Sequence, residues 1–210
     1  MKKSLLILAL GLGTLTVNAQ EAKKPAAKTP TKVVVPTNWN LDKSHSSLKF
    51  SVDHLVISEA EGNFKMFSGT MKNAGADFAN AQIEFTVDVN SINTDEPKRD
   101  EHLKGDDFFN AEKFPQMTFK STKFTKVNGN KYMLAGNLTI RDITQKVVFV
   151  ATYGGTTKDP WGNTKAGFKA TGKISRKAFG LKWNTLTEAG GAVVGDEVRI
   201  QANVEFAQAK

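Results

Sequence analysis

Gln82-Ile83-Glu84-Phe85-Thr86-Val87-Asp88-Val89 alternates polar and apolar residues along its whole length, and residues 116–122 alternate in the same way around Met117 and Phe119. Alternation at period two is typical of a β-strand with one buried face. We therefore expect Phe85 and Val87 on one strand, and Phe119 on another, to point into the interior of a β-sheet protein.

Between these two strands, the stretch from Asn93 to Asp107 (NTDEPKRDEHLKGDD) consists mostly of charged residues. A cap at Thr94 or Asp95 and a stop at Gly105 predict a short helix. Leu103 is the only strongly apolar residue of this helix. Because a helix with so little to bury adds little to a core, we expect a lid or rim over whatever the strands enclose.

The same alternation recurs through the rest of the chain, so the predicted fold class is all-β. The apolar positions are Leu48, Phe50 and Val52; Tyr132, Leu134, Leu138 and Ile140; Val147, Phe149, Ala151 and Tyr153; Phe168, Ala170 and Ile174; and Val198, Ile200, Ala202, Val204 and Phe206. They indicate about eight antiparallel strands, each with one face exposed to solvent. Such a sheet can bury its apolar face by closing into a barrel. Alternation alone does not separate a barrel that holds a ligand from a solid, Phe-rich core.

The amino terminus is typical of an exported protein. Lys2-Lys3, an apolar run from Leu5 to about Leu15, and Val17-Asn18-Ala19 form a secretory signal peptide, expected to be cleaved after Ala19. The alternative is an uncleaved membrane anchor, for which the run is short against the ~20 residues that span a bilayer. Residues 20–37 predict a Lys-, Ala- and Pro-rich linker and residues 38–210 one domain, in a protein that is periplasmic or secreted.

The formal charge of +8 and the absence of cysteine exclude several classes of function. Much of the charge belongs to the signal peptide and to the linker lysines, and no basic stripe with interleaved aromatics follows, so nucleic acid is not expected as a partner. The linker lysines can attract an anionic membrane surface transiently, although solvation explains them equally well. Without cysteine, thiolate metal sites and thiol chemistry are excluded. The sequence leaves a homodimer open.

The three histidines are the main candidates for chemistry. His45, His54 and His102 lack the short spacing and the neighbouring ligands of a metal site, so we expect no metal and no cofactor. On the predicted helix, Arg99, His102 and Leu103 share a face. If Leu103 turns inward, Arg99 and His102 lie at the mouth of the barrel; otherwise Arg99 pairs with Asp95 in solvent.

No arrangement typical of a nucleophilic enzyme is present, and no Gly-rich phosphate loop. An envelope enzyme, an isomerase or hydrolase with His102 or His45 as base, would need a partner for that base, which the sequence does not indicate. We therefore expect a binding protein rather than an enzyme.

Several motifs in order resemble the YceI-like domains, the polyisoprenoid-binding, lipocalin-like family. They are Trp39-Asn40-Leu41-Asp42 with His45-Ser46; Phe50-Ser51-Val52-Asp53-His54-Leu55; Val89-Asn90-Ser91-Ile92-Asn93-Thr94; Arg99-Asp100-Glu101-His102-Leu103; Asp107-Phe108-Phe109; Phe114-Pro115-Gln116-Met117-Thr118-Phe119; Gly136-Asn137-Leu138-Thr139-Ile140; Gly167-Phe168; Arg176-Lys177-Ala178-Phe179-Gly180-Leu181; and Gly195-Asp196-Glu197-Val198. The resemblance spans about Trp39 to Phe206. Two departures stand out: Arg141-Asp142 replaces the usual His-Gly, and a longer connection occupies residues 182–189.

The resemblance implies an eight-stranded, antiparallel lipocalin-like barrel with a short helix beside an elongated apolar cavity. The cavity would hold an isoprenoid, a quinone or another long-chain lipid, for carriage or sequestration. Its expected wall is Phe50, Val52, Leu55, Phe64, Phe85, Val87, Leu103, Phe108 and Phe119, and the expected partners of the head group are His45, Arg99, His102 and Arg176. A solid-cored interaction module without a small ligand remains the other alternative.

Overall fold

The computed structural model describes residues 36–73, 75, 77–185 and 193–210. Its elements are β1 (Thr37–His54), β2 (Ser58–Phe64), β3 (Phe67–Asn73), β4 (Gln82–Asp88), β5 (Ile92–Asn93), α1 (Pro97–Lys104), β6 (Gln116–Asn128), β7 (Lys131–Ile140), β8 (Ile143–Lys158), β9 (Thr164–Ser175) and β10 (Val194–Gln208). The predicted signal peptide and all but the last two residues of the predicted linker lie outside the described residues. The strand β1 begins at Thr37, which was expected to be the last linker residue.

Eight of the strands form a closed antiparallel barrel in the order β10-β9-β8-β7-β6-β4-β3-β1, and the pairing of β1 with β10 closes it. The predicted eight-stranded barrel is therefore confirmed. The length of β1 explains the two extra strands: its first residues pair with β3, while the stretch from Leu48 to His54 pairs with β2. The two-residue strand β5 then pairs with the end of β2.

The helix α1 lies beside β5, as a rim to the barrel. Its end at Gly105 is confirmed, but its predicted cap is wrong, because the side chain of Glu96 accepts hydrogen bonds from the backbone N–H groups of Lys98 and Arg99. Thr94 instead donates its hydroxyl to Asp100 of the helix. Within the described residues, no helix has both the length and the apolar character needed to cross a membrane.

The two ends of the barrel differ. At the end where β1 begins, which we call the closed end, aromatic rings fill the interior: Trp39 lies 5.5 Å from Phe78 between ring centroids, and Phe78 lies 5.3 Å from Phe168. Phe124 stacks on Tyr132 beside them. At the opposite end, which we call the helix end, β1 finishes, β10 starts and α1 connects β5 to β6. Aromatic side chains therefore occupy the barrel interior where β1 begins.

Candidate ligand-binding cavity

The barrel encloses a cavity of about 230 Å³. The inward faces of the barrel strands form its wall, and Met71, Phe124, Phe168 and Phe206 form its floor toward the closed end. At the helix end its lining reaches Val194, the first residue of β10. Apolar cavities of this size stay free of ordered water and accept apolar guests. The alternation of the strands is compatible with either a hollow or a solid interior. The cavity shows that the interior is hollow.

Most of the residues predicted for the site line this cavity. They are Phe50, Val52, Phe64, Phe85, Val87, Leu103, Phe108, Phe119 and Arg176. Leu55, His45, Arg99 and His102 do not line it. The period-two pattern placed the strand residues. Three of the four exceptions are polar side chains assigned to the mouth of the barrel, two of them on the shared face of the predicted helix.

Leu55 lies beyond the end of β1, in the turn that leads to β2, and its side chain is exposed rather than directed inward. Its backbone has a positive φ of 52°, so the alternation of β1 stops before it. Because Leu55 lies in this turn, it is not part of the cavity wall, in contrast to the prediction.

His45 lies outside the barrel, in a bulge between the paired residues Asp42 and Ser47 of β1. Its Nδ1 is 3.0 Å from Oδ2 of Asp42. Asp42, His45 and Glu205 come close enough to suggest a cation site, but Nζ of Lys165 contacts Asp42 and lies 3.2 Å from Glu205. The lysine ammonium therefore supplies the positive charge there. The expected role of His45 at a head group is not compatible with this position.

Arg99 and His102 lie on α1 but not at the cavity. The Arg99 guanidinium folds back to donate from Nε to the Thr94 hydroxyl, at 2.8 Å, and from one terminal nitrogen to the Thr94 carbonyl. It therefore neither reaches the mouth nor pairs with Asp95. His102 contacts Asp107 through Nε2 at 3.1 Å, and its ring packs against Phe108. Only Leu103 of this helix face lines the cavity, because hydrogen bonds to Thr94 and Asp107 hold the two polar side chains elsewhere.

Arg176 is the one predicted polar residue that lines the cavity, and its side chain is buried. Its guanidinium donates to four backbone carbonyls: Nε to Gly195, one terminal nitrogen to Leu181 and Trp183, and the other to Val194. Burial lowers the pKa of Arg176, and the charge of Asp196 partly offsets this. Among the described residues no carboxylate lies within 4.0 Å of the guanidinium. The end of β9 thus places a buried positive charge beside an apolar space.

Four pairs of a phenylalanine and a glycine on neighbouring strands shape the wall. A Cβ added at Gly62, Gly69, Gly136 or Gly172 would come within 3.0 Å of the ring of Phe50, Phe85, Phe119 or Phe149, respectively. Each ring therefore occupies the space that a side chain on the neighbouring strand would otherwise fill. Alanines widen the lumen in the same way, since Ala151, Ala170 and Ala202 pair across β8, β9 and β10 and all line the cavity.

Some cavity residues were missed, and they differ in how far the sequence could have revealed them. The alternation predicts inward positions for Phe149, Ala170 and Ile200, and these residues line the cavity in addition to the predicted site. Val194 at the start of β10 has the same period-two parity as Val198 and Ile200, so the alternation of β10 could have revealed it. Leu181 belongs to the connection after β9, where no period applies, and only the fold brings it to the cavity.

Arg141 and the described part of the longer connection, residues 182–185, lie at the helix end. Arg141 adopts a φ of 57° in the turn between β7 and β8, and its guanidinium donates to the carbonyls of Asp106 and Phe108. It therefore ties this turn to the segment after α1 and does not line the cavity. In the longer connection, residues 182–185 are described, whereas residues 186–189 lie outside the described residues.

Comparison with known proteins agrees with this architecture. The family model described as YceI-like domain matches residues 39–206. A UPF0312 protein of Staphylococcus aureus is 36% identical over 171 residues, which are 81% of this chain and 97% of that protein. The YCEI protein of Campylobacter jejuni is 33% identical with a TM-score of 0.64, covering 75% of this chain and 90% of that one.

A more distant structure shares the fold alone. A domain from Saccharophagus degradans, described as polyisoprenoid binding, is 14% identical with a TM-score of 0.59 and covers 81% of this chain and 98% of its own. The family match spans nearly all of the barrel, from Trp39 to Phe206. This chain therefore belongs to the YceI-like domain family.

Proposed function

We propose that the protein binds a long-chain lipid, an isoprenoid, quinone or fatty-acyl chain, with its tail in the barrel. The observation that carries this proposal is the cavity itself, which is closed off by aromatic residues at one end and lined almost wholly by apolar side chains. The description of the Saccharophagus domain as polyisoprenoid binding agrees with such a ligand.

The tail supplies most of the affinity on this account. Each methylene removed from water contributes about 0.8 kcal/mol, so ten of them contribute about 8 kcal/mol before the costs of association. One charge-assisted hydrogen bond to a head group contributes about 1.5–3 kcal/mol. We therefore expect a site that selects strongly for chain length and less strongly for the head group.

Arg176 is the partner that we propose for the head group. Its buried charge, held by four carbonyls at the helix end, favours an anionic group or a strongly polar oxygen within its reach. The end of the cavity nearest Arg176 would then hold the head, and the floor near Phe168 would hold the end of the tail.

Export and carriage are part of the same proposal. The predicted signal peptide would place the barrel in the periplasm or outside the cell, where a soluble carrier can hold a lipid away from water. Mature protein that begins near Gln20 in N-terminal sequencing would support export, whereas protein that begins at Met1 and stays with the membranes would favour the anchor.

An envelope enzyme is the less favoured alternative. None of the three histidines lines the cavity, and His102 contacts Asp107, which does not line it either. A general base must come within hydrogen-bond reach of its substrate, and these positions do not offer that.

Titration with saturated fatty acids of increasing length tests the binding function. The affinity should rise with each added methylene, by up to about fourfold, until the cavity is full. Ala170→Phe places a ring in the lumen and should abolish binding of long chains. Thr171→Phe adds the same ring to the outward face of the next position, which is exposed, and should bind as the wild type does. Equal binding by both variants would contradict a ligand in the barrel.

A further inference from the structure

The turn between β1 and β2 exposes three consecutive large apolar residues at the helix end. Val56 and Ile57 are 83% and 85% exposed, and Leu55 is 38% exposed. Single exposed apolar residues are ordinary on protein surfaces, but three in a row at the tip of a hairpin are not. We call residues 55–57 the apolar tip.

The backbone of the apolar tip is unfavourable for these residue types. Leu55 and Val56 have φ angles of 52° and 62°, and the N–H of Ile57 donates to the His54 carbonyl to close the turn. Two successive residues with positive φ form a turn that favours Asn-Gly, and a β-branched residue such as Val56 is strained there. A strained apolar sequence in an exposed turn indicates a function other than folding.

The apolar tip lies next to residues that line the cavity. The N–H of Leu55 donates to the Val193 carbonyl at 2.9 Å, and the neighbouring residues Val52 and Val194 line the cavity. The hairpin therefore stands beside the end of the cavity where the lining reaches the strand termini. At the closed end, aromatic rings fill the interior.

The charges at the base of the hairpin are partly neutralised, because one guanidinium serves two carboxylates. Asp53 and Glu59 flank the tip, and one terminal nitrogen of Arg199 lies 2.7 Å and 3.0 Å from their carboxylates. Repulsion from lipid phosphates is thereby reduced, and no ionic group belongs to the tip itself.

We propose that the apolar tip inserts into the interface of a lipid bilayer and brings the helix end of the barrel to the membrane, so that a lipid tail passes between bilayer and cavity. This inference rests on the proposed function. Three residues at a hairpin tip are too few for a stable protein–protein interface, which buries ~1,200 Å² or more, whereas Leu, Val and Ile are suited to the acyl boundary of a membrane.

The variant Leu55→Asn/Val56→Gly/Ile57→Thr separates this role from a structural one. Asn-Gly relieves the backbone strain of the turn, so the melting temperature should stay equal or rise. Partitioning onto phosphatidylcholine vesicles should fall by about tenfold or more, because apolar side chains that the bilayer buried are lost. If the turn has only a structural role, the triple variant should keep its vesicle binding while its stability stays equal or improves.

Trp161→Ala is the matched control, because Trp161 is 81% exposed and lies in the β8–β9 turn at the closed end. Its vesicle binding should equal that of the wild type. Zwitterionic vesicles minimise any attraction of the linker lysines. Protein produced from the full sequence is used throughout, and vesicle binding is measured by co-sedimentation.

Three results would overturn the proposal: the wild type fails to bind the vesicles, the triple variant binds as well as the wild type, or Trp161→Ala loses as much binding as the triple variant. A changed oligomeric state in the triple variant, with vesicle binding intact, would assign the tip to a second copy instead.

Binding of fatty-acid monomers without vesicles should be the same in the wild type and the triple variant. Its absence in both would contradict the proposed lipid site, while vesicle binding would still decide the role of the tip.

Discussion

Arg176 is the residue on which the polar side of the site depends. Four of its five N–H donors bond to carbonyls of the connection after β9 and of the start of β10, and Arg176 lines the cavity at the same time. A buried guanidinium that organises the backbone cannot be removed without leaving those carbonyls unsatisfied.

We predict that Arg176→Met lowers the free energy of unfolding by about 3 kcal/mol or more and that Arg176→Lys recovers part of it, because an ammonium has three donors in place of five. Arg176→Lys should bind a fatty acid less tightly than the wild type does, and the alcohol of the same length about equally. Urea unfolding and paired titrations measure both effects. Arg199→Met, at a partly exposed arginine outside the cavity, is the control; equal stability of Arg176→Met and the wild type would contradict the structural role.

Sequence alone predicted apolar wall residues better than polar ones. Phe85, Val87 and Phe119 follow a strict alternation that only one register of the sheet satisfies, so their inward position could be deduced. Arg99 and His45 carry no such constraint, since a long or surface polar side chain takes the nearest hydrogen-bond partner. For Arg99 that partner is Thr94, and for His45 it is Asp42.

At the scale of the elements, the strands keep the lumen open by pairing small residues with rings. In β3, Gly69 lies opposite Phe85 of β4, and a Cβ there would be 2.8 Å from the Phe85 ring. The ring can lie against the sheet only because position 69 has no side chain.

Gly69→Ala should therefore push the Phe85 ring into the lumen, lowering the free energy of unfolding by about 1–3 kcal/mol and weakening the binding of the longest chains most. Denaturant unfolding and a chain-length series of fatty acids measure this. Ser68→Ala, at the exposed outward neighbour, should change stability by less than about 0.5 kcal/mol. Unchanged chain-length selectivity in Gly69→Ala would show that this ring does not limit the cavity.

The bulge of β1 is held by a charged cluster that predicts a dependence on pH. Hydrogen bonds from Lys165, Ser44 and His45 hold the pKa of Asp42 far below its usual value of 3.8. The ion pair raises the pKa of Lys165 above its usual 10.5. The ionised Asp42 therefore stabilises the fold above pH ~4, and this stabilisation is lost as the pH falls toward the lowered pKa. The charged Lys165 stabilises the fold until the pH rises past its own raised pKa.

Asp42→Asn should lower the free energy of unfolding at pH 7 by about 1–3 kcal/mol and flatten its decline between pH 5 and pH 2, as followed by urea unfolding at each pH. Glu84→Gln removes one member of an exposed ion pair with Lys120. It should change neither the free energy of unfolding at pH 7 nor its decline with falling pH. A decline of the same steepness in Asp42→Asn would mean that another carboxylate governs acid unfolding.

At the scale of the whole molecule, the alternating strands and their resemblance to a known family predicted the closed barrel and its hollow interior. The sequence could not predict which end of the barrel is filled, because Trp39, Phe78 and Phe168 meet only through long-range packing. It also did not reveal that the turn after His54 takes a left-handed backbone. Local patterns determine which residues a strand buries. Which end of the barrel is filled depends instead on contacts between distant strands.

The most direct test of the central claim is to purify the protein gently from its own host, without detergent, and to identify solvent-extractable lipids by mass spectrometry. A barrel that binds lipid predicts one dominant class of long-chain lipid at close to one molecule per protein, and none in Ala170→Phe prepared in parallel. Wild-type protein without extractable lipid, or with the same lipids as Ala170→Phe, would contradict the binding of a lipid in this cavity.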